Sequence, residues 1–293
     1  MNLAKNIGGA FLVGGVLSVV GQLLIVLFSF TPLYAQGLST LFVLYGMGIL
    51  GGALFLFDIY PKIERFGGMG AVMPFSGLMA AIASCVFGVG SATKSPGKGI
   101  SAAFVDLIVK VVILGTVICA ALGSVYYFAG ILGPLTAPYA PAGIVVTNVG
   151  APNGTEAGPP MGIPVGVDFV AFLWAFVVGG LICALAHAVL EITKLPVPVF
   201  LVIIFSLGAL LVPTGAMKFL VSFGGAGCQV MVFDAGEAIV STFTLLFQGN
   251  FLPFAEVLAL FVALYATGAL FGVIKLAMVK TRGDAAPPPA LEQ

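Results

Sequence analysis

Charged residues are scarce in this chain of 293 residues: they make up 8% of it, against about 25% in soluble domains. Hydrophobic residues make up 60%, and residues 6–57 carry no charge at all. This composition excludes a soluble domain, so we expect an integral membrane protein in contact with the lipid bilayer. The 11 acidic and 11 basic residues balance, so the chain has no net charge that would attract nucleic acid.

Cysteine and histidine are also sparse. The four cysteines stand singly in apolar stretches, and His187 is the only histidine. Disulfide frameworks and zinc sites need closely spaced sets of these residues, so we expect reduced cysteines and no cofactor. No catalytic triad is present, and the glycine stretches lack the Lys-Ser/Thr of a phosphate-binding loop. The sequence therefore predicts a protein that is not an enzyme, and it leaves metal binding open.

Long apolar runs predict the membrane spans, since a helix needs about 20 apolar residues to cross the hydrocarbon layer. The first run is longer than the apolar region of a signal peptide, which has about 7–15 residues, so we expect it to remain in the membrane. The predicted spans are residues 6–30, 36–57, 101–128, 169–190, 196–213 and 251–274.

Two glycine clusters follow apolar runs in the two halves of the chain, Phe66–Gly70 and Phe223–Gly227. Glycine-rich backbone at membrane depth must be buried in protein or face an aqueous cavity, so matched clusters suggest a permeation or binding site. The alternative is that these glycines only let helices pack closely. Each cluster opens a segment that we expect to be re-entrant, over about 67–93 and 224–247, although a full span remains an alternative for the first.

An internal duplication relates the two halves. Residues 11–15 match residues 176–180, which places Gln22 opposite His187. The glycine clusters come next in both halves, and then Gly99, Phe104 and Asp106 line up with Gly249, Phe254 and Glu256. Three matches in the same order make a duplication the simplest explanation.

Three crossings per repeat is an odd number, so the second repeat must enter the membrane from the opposite side. The sequence thus predicts an all-α membrane protein with an inverted-topology 3+3 repeat and one re-entrant segment per repeat. We divide the chain into repeat 1 (1–129), a Gly/Pro-rich external linker (130–167), repeat 2 (168–280) and a disordered cytoplasmic tail (281–293).

The positions of basic residues agree with this topology, because cytoplasmic loops collect Lys and Arg. With both termini in the cytoplasm, Lys218 is the only basic loop residue outside. The basic residues that would lie inside are Lys5, Lys62, Arg65, Lys94, Lys98, Lys194, Lys280 and Arg282.

Several short motifs resemble the SpoVA membrane proteins of spore formers, particularly SpoVAC and SpoVAEb. In repeat 1 they are residues 11–24 with Gln22, residues 60–70 and residues 74–77, and in repeat 2 they are Thr214-Gly215, Lys218 and residues 223–227. Two differences stand out: Pro61 occupies a position where the family usually has an acidic residue, and two family units are fused in one chain.

The resemblance implies a multi-pass protein of the cytoplasmic membrane in a channel complex that moves dipicolinic acid, with its calcium, during sporulation and germination. It also implies an association with mechanosensitive channel behaviour. The expected partners are a small anionic solute and either other membrane subunits or further copies of the chain.

Helix N-termini carry roughly half a positive charge and unpaired N–H groups, which favour anions. If the segments after Gly70 and Gly227 begin as half-helices, their N-termini would converge on an anionic solute. Lys62 and Arg65 would attract that solute or simply anchor the helix at the headgroups. The predicted substrate pathway consists of Gly67, Gly68, Gly70, Pro74, Ser76, Gly224, Gly225 and Gly227, with Lys62 and Arg65 at its mouth.

Ionisable groups inside a membrane are costly, so each one is a candidate for function. Asp106 and Lys110 can pair along one helix face or take part in solute binding. Glu256 lacks such a local partner, so we expect it to be the better candidate for a cation or proton site, and an acid that extends to the membrane interface is the alternative. Asp234 and Glu237 share a face and can hold Ca²⁺ or a proton, or cap their helix. Gln22 and His187 are expected to hydrogen-bond between helices, and a proton relay at His187 is the alternative.

Three functions therefore remain open. The first is a channel or facilitator for a small anionic metabolite, with its path between the two re-entrant segments. The second is an ion-coupled secondary transporter, and the third is a non-conducting scaffold of a membrane complex.

Overall fold

The computed structural model describes residues 3–31, 39–131 and 169–282, and these ranges are folded into helices without a β-strand. The predicted linker and tail fall almost wholly outside them. An all-helical membrane architecture is therefore confirmed for the described part of the chain.

Repeat 1 begins with two long helices that are followed by a series of shorter ones. Its last span is continuous but changes from an α-helix to a π-helix and back. The elements are α1 (Leu3–Ser29), α2 (Ser39–Leu56), α3 (Tyr60–Gly67), α4 (Met69–Val72), α5 (Phe75–Ala92), α6 (Pro96–Ala103), the π-helix Phe104–Ile113 and α7 (Leu114–Phe128).

Repeat 2 has the same order of long and short helices, and a single long helix replaces the α6–α7 span. The elements are α8 (Phe169–Thr193), α9 (Val197–Leu211), the short 3₁₀ helix Val212–Thr214, α10 (Ala216–Gly224), α11 (Ala226–Gln229), α12 (Val232–Phe247) and α13 (Leu252–Arg282).

Within residues 3–31, 39–131 and 169–282, six helices are long and apolar enough to cross a membrane. Five coincide with predicted spans, and the sixth is α5, inside the first predicted re-entrant segment. The predicted span at residues 36–57 corresponds to α2, which qualifies only together with α3, and these two helices are bent by 105°. The six helices are Leu3–Ser29, Phe75–Ala92, Pro96–Phe128, Phe169–Thr193, Val197–Thr214 and Leu252–Thr281.

The central contact of the fold joins the first helices of the two repeats, α1 and α8. Their paired glycines allow the close approach: a Cβ at Gly15 would lie 2.7 Å from the Phe176 ring, and a Cβ at Gly180 would lie 2.8 Å from the Phe11 ring. The Phe11 and Phe176 rings themselves meet edge to face at 5.5 Å. Beyond this crossing, Asn6 near the start of α1 donates a hydrogen bond to Glu191 near the end of α8.

The segment from α3 to α5 leaves and returns beside the same end of α13. Asp58, just before α3, contacts Lys275 of α13, and Gly90 near the end of α5 lies beside Leu276. Where α5 contacts α13, the residue numbers increase together along both helices, from Ile82 with Gly268 to Gly90 with Leu276. These two helices therefore run in the same direction.

Repeat 2 has a related arrangement, in which α12 lies against α7. Gly123 faces Val240, and four residues further along α7 the Tyr127 ring stacks on Phe247. The helices α7 and α12 therefore also run in the same direction.

Candidate functional site

Gly68 and Gly225 form the two sharp corners that precede the half-helices. Their backbone angles are nearly the same, φ 47° and ψ −123° at Gly68 and φ 47° and ψ −127° at Gly225. Residues other than glycine rarely adopt such backbone angles. A Cβ would also lie 2.6 Å from the His187 ring at Gly68 and 2.9 Å from the Gln22 side-chain oxygen at Gly225. Both corners therefore require glycine.

The first N–H group after each corner bonds to a side chain of the other repeat. Met69 N–H donates to Nδ1 of His187 at 3.4 Å, and Ala226 N–H donates to Oε1 of Gln22 at 3.2 Å. These contacts agree with the expectation that Gln22 and His187 bond between helices. The other ring nitrogen of His187, Nε2, lies 3.6 Å from Glu191.

The other glycines of the two clusters are packed against the neighbouring helices α1 and α8. A Cβ at Gly70 would lie 2.3 Å from the Ala10 carbonyl oxygen, and a Cβ at Gly227 would lie 2.4 Å from the Ala175 carbonyl oxygen. Gly67 and Gly224 instead each face a valine side chain, on α1 and α8 respectively. Close helix packing, the alternative to a solute site, thus describes the contacts of these four glycines in this conformation.

The two broken segments meet in a short antiparallel bridge between Pro74 and Met231. Phe75 N–H donates to the Val230 carbonyl at 3.0 Å, and Val232 N–H donates to the Met73 carbonyl at 2.9 Å. Each hydrogen bond repeats the other with the roles of the two repeats exchanged. The chain breaks therefore face each other directly.

The half-helices begin later than the sequence predicted. A separate helical turn follows each glycine cluster, so the half-helices start at Phe75 and Val232 and not after Gly70 and Gly227. The residues just before them, Pro74 and Met231, are extended, with ψ 155° and ψ 148°. Since the bridge uses the N–H groups of Phe75 and Val232, these two donors are occupied in this conformation.

Ser76, in the first turn of α5, was predicted to line the pathway. Its side chain is fully buried, and its hydroxyl lies 3.0 Å from the hydroxyl of Tyr60. Tyr60 also donates a hydrogen bond to the Ala71 carbonyl at 2.7 Å. These bonds join the start of α3 to the start of α5.

A small cavity of about 20 Å³ lies beside the bridge, between the two repeats. Its walls are apolar and include Val72 and Phe75 from repeat 1 and Phe205 and Val232 from repeat 2. A space of this size holds about one water molecule, so a dicarboxylate would need the segments to move apart.

The carboxylic acids that were predicted as ion or proton sites have different surroundings. Asp234 and Glu237 of α12 are 3% and 6% exposed. Among the described residues, no hydrogen bond reaches Oδ1 of Asp234 or Oε2 of Glu256, and both atoms are buried. Glu256 lies in the first turns of α13. As the sequence indicated, it has no charged partner one turn further along this helix.

The remaining predicted residues lie away from the bridge. Asp106 and Lys110 form an ion pair within the π-helix, and their side chains are 48% and 59% exposed. Lys62 and Arg65 are exposed on the short helix α3. The structure therefore does not bring these four side chains together with the buried acids.

Lys275 was not among the predicted site residues, although it is a buried charge in the longest helix. Its ammonium group donates to Asp58 at 2.6 Å and to the Phe55 carbonyl at 2.7 Å, and it lies 3.9 Å from the centre of the Phe55 ring. A lysine within an apolar span is itself a signal for a functional or structural role. What the sequence did not provide was its partner.

Comparison with protein families gives a match to SpoVAC/SpoVAEB sporulation membrane proteins over residues 6–131 and again over residues 171–279. No curated protein and no solved structure gives a significant match. The two matched regions coincide with the two structural repeats and together cover most of the chain. The chain therefore belongs to the SpoVAC/SpoVAEB family of sporulation membrane proteins, with two family units in one polypeptide.

Proposed function

We propose that this protein is a membrane channel or facilitator for a small anionic metabolite, with dipicolinic acid or its calcium chelate as the solute that its family suggests. The observation that carries the proposal is the reciprocal bridge between Met73–Phe75 and Val230–Val232. Two interrupted membrane segments that meet at one point are typical of a solute site at the interface of two repeats.

The proposed topology is an inverted 3+3 repeat in the cytoplasmic membrane, with both termini in the cytoplasm. Three observations support it. The start of α1 lies beside the end of α8 at Asn6 and Glu191, as expected for repeats of opposite direction. The segment between Asp58 and Gly90 begins and ends beside the same part of α13, as expected for a re-entrant segment. The basic loop residues lie almost all on one predicted side.

The bridge suggests how the path opens. In the described conformation, the N–H groups at the start of α5 and α12 bond to backbone carbonyls of the opposite segment. Separation of the segments would release these donors at two helix N-termini, which favour an anion. We therefore propose the bridge as the closed gate. Lys62 and Arg65 on the exposed face of α3 would raise the local concentration of the anion.

A second candidate, an ion-coupled secondary transporter, is favoured by the buried carboxylate oxygens of Asp234 and Glu256, which lack a hydrogen bond among the described residues. Intramembrane acids of this kind carry protons or cations in transporters. The two candidates differ in whether an ion gradient drives solute accumulation.

Flux into proteoliposomes distinguishes these candidates. Vesicles with the purified protein should take up dipicolinate down its gradient, and protein-free vesicles should not. A cation of similar size should enter much more slowly, because the proposed site selects for negative charge. Uptake against the dipicolinate gradient, driven by a proton or Na⁺ gradient, would instead favour the transporter. Absence of flux for any solute, or equal flux of anion and cation, would contradict the proposal.

A further inference from the structure

Asp234 is the most deeply buried acid of the second broken segment. It lies in the first turn of α12, three residues after the bridge residue Met231, and only 3% of it is exposed. Its Oδ1 atom is buried without a hydrogen bond, and no salt bridge reaches the side chain among those described. None of the described ion pairs would compensate a negative charge here.

Among the side chains that the structure describes, those around Asp234 do not supply a counter-charge. On its own helix the next ionisable residue is Glu237, and the preceding turn α11 contains Cys228. Of the helices packed against α12, α9 has no titratable residue. In the described part of the chain, none of the titratable side chains of α7 and α13 bonds to Asp234; these are Cys119, Tyr126, Tyr127, Glu256, Tyr265, Lys275 and Lys280.

A buried carboxyl without a cationic partner is neutralised by a proton or by a bound cation. The helix N-terminus offers only roughly half a positive charge, and Glu237 one turn away opposes it. Calcium needs about six to eight oxygen ligands, but the neighbours of Asp234 along α12 are Phe233, Ala235 and Gly236. Within the described ranges, no group of three or more metal-ligating residues is present. A proton is therefore the ligand that fits this site.

We propose that Asp234 is a proton-binding site inside the membrane, occupied while the bridge at Met231 is closed. Opening the bridge would admit water to the first turn of α12 and allow the proton to leave. The site belongs to repeat 2 alone, because the equivalent position of repeat 1 is Gly77, which packs against the carbonyl oxygens of Ala71 and Val72. The proposal concerns the resting protein and does not depend on the solute.

Dicyclohexylcarbodiimide tests the proposal directly, because it reacts with protonated carboxyl groups in apolar surroundings. The wild-type protein in proteoliposomes is labelled at several pH values, digested and analysed by mass spectrometry. We expect a label on Asp234 near neutral pH that decreases as the pH rises, and no label at this position in Asp234→Asn. Glu237→Gln is the matched control, and it should keep the label on Asp234. A water-soluble carbodiimide should modify exposed Glu64 but not Asp234.

Absence of the hydrophobic label from Asp234 throughout the pH series, with Glu256 labelled in the same sample, would overturn the proposal. Thermal unfolding gives an independent measurement. A proton that the folded state holds and the unfolded state releases makes stability fall as pH rises, so the wild-type unfolding temperature should fall more steeply with pH than that of Asp234→Asn. Parallel pH dependences would contradict the proposal. Both measurements need no solute, so a failure of the flux experiment leaves them unaffected.

Discussion

The corner at Gly68 and the corner at Gly225 have the same backbone geometry but different polar surroundings. Their φ values are both 47°, and each is followed by one helical turn, an extended residue and a half-helix. In contrast, an imidazole bonds to the first corner and a side-chain amide to the second. The comparison indicates that helix packing gives the two corners the same backbone geometry, whereas the polar side chains that bond to them differ between the repeats.

A similar contrast separates the positions around the two corners. Asp58 and Gly215 both have positive φ at the start of the short helices, but only Asp58 has a buried lysine as its partner. Gly77 and Asp234 occupy equivalent places in the half-helices, and only Asp234 is ionisable. An ion pair thus connects repeat 1 to α13, whereas repeat 2 contains Asp234, whose buried Oδ1 atom has no hydrogen bond among the described residues.

The largest effects should come from the glycines that touch backbone in both repeats. Gly70→Ala and Gly227→Ala should each destabilise the protein by about 3 kcal/mol, because the new Cβ overlaps a carbonyl oxygen that a rigid helix holds in place. Thermal unfolding in detergent measures the loss. Gly97→Ala is the control, since nothing lies within 4 Å of a Cβ there. Tolerance of one substitution but not the other would break the equivalence of the two corners.

The corner glycines should respond in a way that depends on the repeat. Gly68→Ala and Gly225→Ala force a side chain into an unfavourable backbone conformation, at about 2 kcal/mol each. His187→Ala should relieve part of the loss in Gly68→Ala and none of it in Gly225→Ala, because only the first Cβ meets the imidazole. Double-mutant cycles measure this coupling. Equal relief at both corners would contradict the assigned contacts.

The smallest of these effects concerns the charge that ties repeat 1 to α13. Asp58→Asn should lower the free energy of unfolding by about 1 kcal/mol, since Asp58 is exposed and water screens the pair. Chemical denaturation measures the change, with the exposed acid Glu64→Gln as control. Lys275→Met removes the buried ammonium together with the ion pair. It leaves no buried charge without its partner, so it should be less harmful than Asp58→Asn. The reverse order would mean that the ammonium, and not its pairing, stabilises the corner.

Much of this fold could be predicted from the sequence, because span length and glycine spacing are local signals. The matched glycine clusters located both corners, and the alignment of Gln22 with His187 anticipated their equivalent hydrogen bonds. The sequence missed the start of the half-helices. Pro74 has no N–H group to donate to the preceding turn, which favours a break there, but repeat 2 has Met231 at the equivalent position. At Met231 the bridge itself holds the chain extended.

The partner of Lys275 could not be predicted for a different reason. Asp58 lies 217 positions away along the chain, and no periodicity relates the two residues. The surroundings of Asp234 were likewise hidden, since they depend on where the cations of helices distant in sequence lie. Apolar patterns identify membrane helices, but only tertiary structure identifies which of their few charges meet.

A disulfide across the bridge tests the central claim most directly. Opposed residues in an antiparallel pair have Cα atoms about 4.5–5.5 Å apart, within the range of about 4.4–6.8 Å that a disulfide spans. Pro74→Cys and Met231→Cys are combined in a chain whose native cysteines are replaced, since Cys183 lies 3.8 Å from the Met231 sulfur. The two single substitutions are the controls.

If the broken segments form the gate, oxidation should stop dipicolinate flux in the double variant, a reducing agent should restore it, and neither treatment should affect the controls. Undiminished flux through the oxidised double variant, with the disulfide verified by mass spectrometry, would contradict a path between these two segments.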